Sequence, residues 1–269
     1  SDAINAAQIA QRKWEDVGIE KRANILHNIG SELINQSKEI GTLLSREEGK
    51  TLPEGIGEVV RSGQQFQYYA ASALRQFGEN IASTREGVSV EMTREPIGVC
   101  GIISPWNFPI AIAAWKAAPA MAFGNAIVLK PASQTPASAI ALTKIISEQK
   151  DIPEGLFNLV LGGGGTIGHQ ISEHKNINAI SFTGSVNVGQ TIYKEAAKTM
   201  KKMQLEMGSK NPLLIMDDAD LEIAVTCATN GAYGGTGQKC TASSRLIVHE
   251  KVYKEFIERL IKSISAMKV

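Results

Sequence analysis

From residue 97 onward the chain repeats one pattern: a short, mainly apolar run, a helical stretch, then another such run. The runs are 97–103 (IGVCGII), 126–130 (AIVLK), 157–161 (FNLVL), 178–182 (NAISF) and 203–205, and the helical stretches lie at about 110–121, 136–148, 166–173 and 186–198. A strand with no polar face has to be covered on both sides, and strands separated by crossover helices run parallel. The pattern predicts an α/β fold built on a doubly wound, Rossmann-like parallel sheet with helices on both faces. Ligands of such sheets lie beyond the carboxyl ends of the strands. The loops of interest are therefore 104–109, 131–136, 162–166, 183–186 and 206–212.

The segments around this core read differently. Residues 20–36 set Ala23, Leu26, Ile29, Leu33 and Ile34 at helical spacing. A second helix is expected over about 38–49, and a third from Pro53 through Val59, Val60, Phe66, Tyr69 and Ala73. At 79–96 the period drops to two around Glu86-Gly87, the mark of a β-ribbon. A two-stranded ribbon is unstable alone, so this one is expected to pack on another subunit. Near 209 a further α/β unit begins: an apolar run after Pro212, a helix over 219–231, a glycine-rich loop, Cys240, a strand at 245–248 and a helix at 250–265. Two strands and two helices make an incomplete domain. The expected organisation is thus 1–78 with 97–208 as one domain, 79–96 as the ribbon, and 209–269 as the start of a second.

Several function classes fall away. With 28 basic against 27 acidic residues in 269, the chain has no field with which to coat nucleic acid. Its most apolar stretch, 109–129, is interrupted by Lys116, Pro119, Gly124 and Asn125, so no membrane span is expected. Residues 1–14 show no signal-peptide pattern. Cys100, Cys227 and Cys240 lie far apart, which suits neither a disulfide framework nor a metal site. A reducing, cytoplasmic setting is the default.

Candidate chemistry sits in the loops. Cys240, in GTGQKCTASSR, follows glycines that let the backbone bend, and Lys239 and Arg245 nearby would favour a thiolate. A nucleophile and a buried structural cysteine are equally compatible with that context, whereas Cys100 and Cys227 lie in apolar patterns and read as core. Glu206, at the end of a strand in QLEMGSKNP, stands where an α/β protein places a general base, although taken alone a carboxylate there reads first as a salt-bridged loop acid. Asn107, in ISPWNFP, is held between prolines as either a turn residue or a preset hydrogen-bond donor. FTGSVNVG opens a helix after a strand, with Gly184 for the turn and Ser185 as N-cap, and offers a phosphate site without fitting GxGxxG. The Gly162–Gly165 run and KPAS, with Lys130 and Ser133, are further strand-end loops. No histidine falls in a readable catalytic pattern.

Taken in order, ISPWNFP, GNAIVLKPASQTP, FTGSVNVG, LEMGSKNP and GQKCTASSR resemble the aldehyde dehydrogenase superfamily, as do the spacings of Asn107 to Lys116 and Glu206 to Cys240. Within it the chain is most similar to semialdehyde dehydrogenases of the 2,5-dioxovalerate (α-ketoglutarate semialdehyde) type. The resemblance implies oxidation of a small-molecule aldehyde, expected to be a semialdehyde, with NAD or NADP as cofactor. It makes Cys240 the nucleophile, Asn107 and the Cys240 N–H the oxyanion donors, and Glu206 the base that activates water. Lys116 and Lys130 resemble lysines that meet the cofactor's ribose. Ser104, Pro105, Trp106, Pro131, Ala132, Gly163, Gly184, Ser185, Met207 and Gly208 fall among cofactor-binding positions. Many NAD-preferring members carry a glutamate where this chain has Ser133; a serine does not repel a 2′-phosphate, so NADP is expected to be accepted. The intact protein is expected to be a homodimer or homotetramer. Members are nearly twice as long, so this chain is expected to be part of a longer enzyme. Trp115 and Gly234 stand where succinate-semialdehyde members often carry arginines, which counts against that substrate. The alternatives are a coenzyme A-acylating enzyme, disfavoured by Glu206, and a non-catalytic nucleotide-binding or assembly module.

Overall fold

The computed structural model describes residues 1–75 and 78–267. The chain divides into two units, Ser1–Glu206 and Met207–Val269.

The first unit opens with helices α1 (Asp2–Glu15), α2 (Ile19–Asn35), α3 (Ser37–Glu48) and α4 (Leu52–Ala73). Each buries one stripe: Ile4, Ala7, Ala10 and Trp14 on α1, Leu26, Ile29 and Leu33 on α2, Val59, Phe66 and Ala70 on α4. A capping box of Thr51 and Glu54, with Pro53 in the first turn, sets where α4 begins. Helices α2 and α4 meet glycine against glycine. A Cβ on Gly30 would lie 2.5 Å from the Gly63 carbonyl oxygen, and one on Gly63 would lie 2.5 Å from that of Gly30.

A hairpin follows, β1 (Glu79–Ala82) antiparallel to β2 (Ser89–Met92), with Ile81 opposite Val90 and every strand residue exposed. The chain then alternates: β3 (Val99–Ile103), α5 (Ala111–Ala122), β4 (Ala126–Lys130), α6 (Pro136–Ser147), β5 (Phe157–Leu159), α7 (His169–Glu173), β6 (Ala179–Gly184), α8 (Val186–Ala197) and β7 (Lys202–Met207). The strand order in the sheet is β5-β4-β3-β6-β7, with β3 parallel to both β4 and β6, and β4 parallel to β5. This is the doubly wound parallel sheet that the apolar runs predict. β4 is buried at every residue, so helices cover both of its faces. The fully buried Trp14 docks α1 by donating from its indole to the Met121 carbonyl at 2.8 Å. The helix expected over 166–173 is broken: a π-turn occupies Gly164–Gly168 before α7 begins. Consecutive glycines at 162–165 have no side chains to stabilise a regular helix start, and Gly162 sits at φ +152°.

In the second unit β8 (Asn211–Ile215) pairs in parallel with β9 (Ser243–Val248), and α9 (Leu221–Tyr233) and α10 (Glu250–Ser265) pack around Ile215, Val225, Ala228, Phe256 and Leu260. Cys227 is exposed rather than in this core. Helix α9 turns Val225, Ala228 and Thr229 inward, and position 227 falls on its other side. Among the described residues no helix is long and apolar enough to cross a membrane.

The glycine contact between α2 and α4 is testable. Gly30→Ala should destabilise the protein by roughly 1–3 kcal/mol despite alanine's better helix propensity, because the backbones must separate. Chemical denaturation would measure it, and an unchanged or raised stability would contradict the close crossing.

Candidate active site

The sheet reverses its winding at β3: β4 and β5 lie on one side, β6 and β7 on the other. Loops leaving β3 and β6 therefore part, and a crevice is left between them. A cleft of about 880 Å³ opens there, lined by Ser104, Pro105 and Trp106 after β3, Lys130, Ala132 and Ser133 after β4, and Thr183, Gly184 and Ser185 where β6 passes into α8. Gly164, Gly168 and His169 complete the rim on the side of the π-turn.

Polar groups are set at a few points along a largely apolar wall. Ser185 caps α8, its hydroxyl accepting from the Val188 N–H at 3.4 Å, so a helix N-terminus with its positive dipole end borders the cleft. Gly184 is required for that passage: a Cβ there would lie 2.5 Å from the Phe182 ring. The Ser104 hydroxyl is buried at the wall and has no hydrogen-bond partner among the described residues, a polar group left for the occupant to satisfy. Lys130 is buried with its ammonium donating to the Pro131 carbonyl at 2.7 Å, and burial lowers its pKa. Ser133 donates to the Gly162 carbonyl at 3.5 Å, tying the β4 loop to the glycine loop. The carboxylate in the lining, Glu195, is taken up by Lys198 at 2.5 Å, a hydrogen bond that holds its pKa below the ordinary value.

Asn107 lies on the same β3–α5 loop and is braced from behind. Its carbonyl accepts from the Lys50 ammonium at 2.8 Å, and that ammonium also sits 4.1 Å from the centre of the Phe108 ring. Lys50 pairs with Glu58 at 2.5 Å, with Glu48 at 3.9 Å, and all three side chains are almost fully buried. Burial raises the pKa of Glu48, partly offset by Lys50. The other Glu58 oxygen accepts from the N–H groups of Ile110 and Ala111, both at 3.0 Å, at the start of α5.

Lys116, Gln204 and Glu206 form a separate group. Lys116, on α5, is buried and donates to Ser181 Oγ at 2.7 Å and Gln204 Oε1 at 2.9 Å, and Gln204 Nε2 donates to Glu206 at 2.9 Å. It borders a small cavity of about 180 Å³ with Cys100 and Ile180, not the large cleft. Burial brings its pKa down to about 8, against a smaller opposing pull from Glu206. Cys100 is the inert kind of cysteine, its thiol pushed up to about 11 by burial. Pro131 and Gly163 stand in the cleft loops without lining the cleft.

Met207, Gly208 and Cys240 belong to the second unit. Cys240 is exposed, and its carbonyl accepts from Asn211 Nδ2 at 2.7 Å. The loop before it runs through left-handed conformations at Gly235 (φ 62°), Thr236 (φ 58°) and Gly237 (φ 70°). The nearby cations do not serve the thiol as expected: Lys239 donates to the Asn230 carbonyl at 3.2 Å, and Arg245 donates to that of Lys210 at 2.8 Å. Among the described residues no cluster of His, Cys, Asp and Glu is able to hold a metal ion.

The aldehyde dehydrogenase family matches this chain over residues 1–269. The chain belongs to that family. The alpha-ketoglutaric semialdehyde dehydrogenase of Bacillus subtilis (strain 168) is 43% identical over 262 residues, 97% of this chain and 53% of that protein. The 2,5-dioxopentanoate dehydrogenase of Saccharolobus solfataricus is 40% identical over 270 residues, 100% of this chain and 56% of that protein. The crystal structure of an aldehyde dehydrogenase from Brucella melitensis biovar abortus 2308 matches with a TM-score of 0.97 at 34% identity, covering 99% of this chain and 55% of that one. The chain spans about half the length of the curated relatives it matches.

For this aldehyde dehydrogenase chain the motifs located the cleft loops but missed Lys50, Glu58, Gln204 and His169. In sequence each is one polar residue within or between helical or strand stretches, and its partner or cleft position comes only from the fold. The Lys116 geometry gives a pH test. Burial disfavours the charged lysine, so Lys116 weakens the native state below its folded pKa of about 8, while the unfolded chain keeps the proton up to about 10.5. The unfolded state binds more protons between those values, and this group makes stability rise with pH there. Denaturation curves across that window should show Lys116→Met losing this rise; parallel curves for both proteins would show an unperturbed lysine.

Proposed function

We propose that the protein carrying this chain is an NAD(P)-dependent aldehyde dehydrogenase that converts a semialdehyde to its carboxylic acid. The observation that carries this reading is the family match over residues 1–269. The two named relatives, an alpha-ketoglutaric semialdehyde and a 2,5-dioxopentanoate dehydrogenase, support a substrate with a carboxylate at its far end. Residues 1–78 and 97–208 form the dinucleotide-binding domain in this reading, and 209–269 contribute the cysteine. The dinucleotide fits the cleft through the α8 N-terminus, the buried Ser104 hydroxyl, Lys130 and Ser133, with Trp106 and Gly184 beside it. Bound there, it supplies the acceptor for a hydride.

The chain's own groups do the remaining chemistry. The Cys240 thiolate adds to the aldehyde carbon, and the Asn107 amide and the Cys240 N–H donate to the oxygen that becomes negative. Loss of hydride from that carbon leaves a thioester on Cys240. Glu206 takes a proton from water as the water oxygen attacks the thioester; the C–S bond breaks, releasing the acid and the thiolate. Lys116 acts behind Glu206, through the Gln204 amide that bonds to both. A nucleophilic thiol of this kind suits a reducing, cytoplasmic setting. The hairpin, with Ile81, Val90 and Met92 exposed, is assigned to assembly as a homodimer or homotetramer.

A panel of aldehydes assayed with NAD and with NADP on the intact protein tests the reading. Cys240→Ala should lose all oxidation while keeping its circular dichroism spectrum, and normal turnover in that variant would end the assignment. Ser133 carries no charge against a 2′-phosphate, so NADP should be accepted. Ser133→Glu should raise the KM for NADP more than that for NAD. An equal effect on both would remove Ser133 from the specificity site.

A further inference from the structure

We propose that Lys50 and Glu58 are positioning residues for the Asn107 amide: a buried ion pair that holds the oxyanion loop from its backbone side. The proposal rests on the catalytic role given to Asn107 above. Pro105 and Pro109 have no N–H to donate, so the loop around Asn107 is short of backbone donors with which to brace itself. Side chains from outside supply the bracing. The Lys50 ammonium takes the Asn107 carbonyl at 2.8 Å and faces the Phe108 ring at 4.1 Å; Glu58 takes the Ile110 and Ala111 N–H groups at 3.0 Å. The pair is joined at 2.5 Å, with side chains 2% and 1% exposed. Residues 107, 108, 110 and 111 are thereby held by one rigid unit.

Stability is a poor explanation for such a pair. Two charges taken out of water cost about what their attraction returns, and a well-packed apolar replacement is often as stable. What an apolar pair lacks is direction. The ion pair fixes the rotation of the Asn107 peptide, and a donor meant for a transition-state oxygen loses its effect when displaced by a fraction of an ångström.

Lys50→Met alone leaves the Glu58 carboxylate stranded in the interior. The variant to read is therefore Lys50→Met/Glu58→Gln, which removes both charges of the joined pair and keeps an acceptor for the two N–H groups, while Glu48 retains the Lys50 backbone N–H it accepts at 3.0 Å. In the intact protein it should keep the circular dichroism spectrum and the dinucleotide Kd, with kcat down about 10- to 100-fold. Asn107→Ala should lose about 10²–10³ in kcat. Combining the three changes should cost no more than Asn107→Ala alone, because the pair acts through that amide. Multiplying losses, or a parental kcat in the double variant, would overturn the positioning role while leaving Asn107 in the site. A parental kcat in Asn107→Ala would instead remove Asn107 and this proposal together. Glu58→Gln alone leaves Lys50 the Glu48 carboxylate at 3.9 Å. It is the second variant should the double one fail to fold, with the same non-multiplying result expected and the same overturning one.

Discussion

Two parallel strands cannot be joined by a tight turn, and that constraint organises the first unit. Every step across the sheet costs a crossover helix, and the order β5-β4-β3-β6-β7 means that the steps go one way from β3 and then the other. β3 is the strand both halves share. Its start is held by two asparagines: Asn125 accepts from the Ile97 and Gly98 N–H groups at 2.7 and 2.9 Å, and Asn178 accepts from that of Val99 at 3.0 Å. Beyond its far end the connections that follow β3 and β6 lead to strands on opposite sides of it in the sheet order. The cleft is the space this leaves, and the groups around it are those that the strand ends and helix starts supply.

Three charged side chains of this unit serve helix ends. Glu58 closes the N-terminus of α5, and Glu47 does the same for α6, accepting from Ala137 N and Ser138 N at 2.7 and 2.9 Å. Arg22 works at the other pole, its guanidinium donating to the Trp14 and Val17 carbonyls at the end of α1. Each charge meets the helix dipole with the favourable sign and satisfies groups that would otherwise be buried without partners. These contacts also tie the leading helices to the crossover helices, so the loops that precede α5 and α6 inherit their positions from the four-helix layer.

The parts of this fold that could be read from sequence are those whose cause is local. β3 and β4 announce themselves because each is an apolar run, broken only by Lys130 at the end of β4, and α4 because Pro53 marks its first turn. The glycine run at 162–165 misleads, since the helical pattern after it says nothing of the π-turn that comes first. Cys227 misleads in another way: it stands in an apolar stretch, but on α9 the residues that decide burial are three and four apart. For the candidate site, loop motifs after strands point to the cleft residues. Lys50 and Glu58 cannot be found that way. Both are charged residues in a helical region, which by themselves suggest a solvated face, and their partners at 107–111 are more than 45 positions away.

The group around Lys116 shows how a sheet can aim a side chain without a loop. Along β7 exposed and half-buried residues alternate, so Gln204 and Glu206 share one face as neighbours two apart. Lys116 arrives from α5 with donors only, and an amide facing it must present its oxygen. Ser181, on the adjacent strand β6, contacts that same oxygen. With Oε1 committed, the Nε2 end of Gln204 is left to face Glu206, at 2.9 Å. The direction of the amide, and with it the donor offered to the carboxylate, follows from one buried lysine.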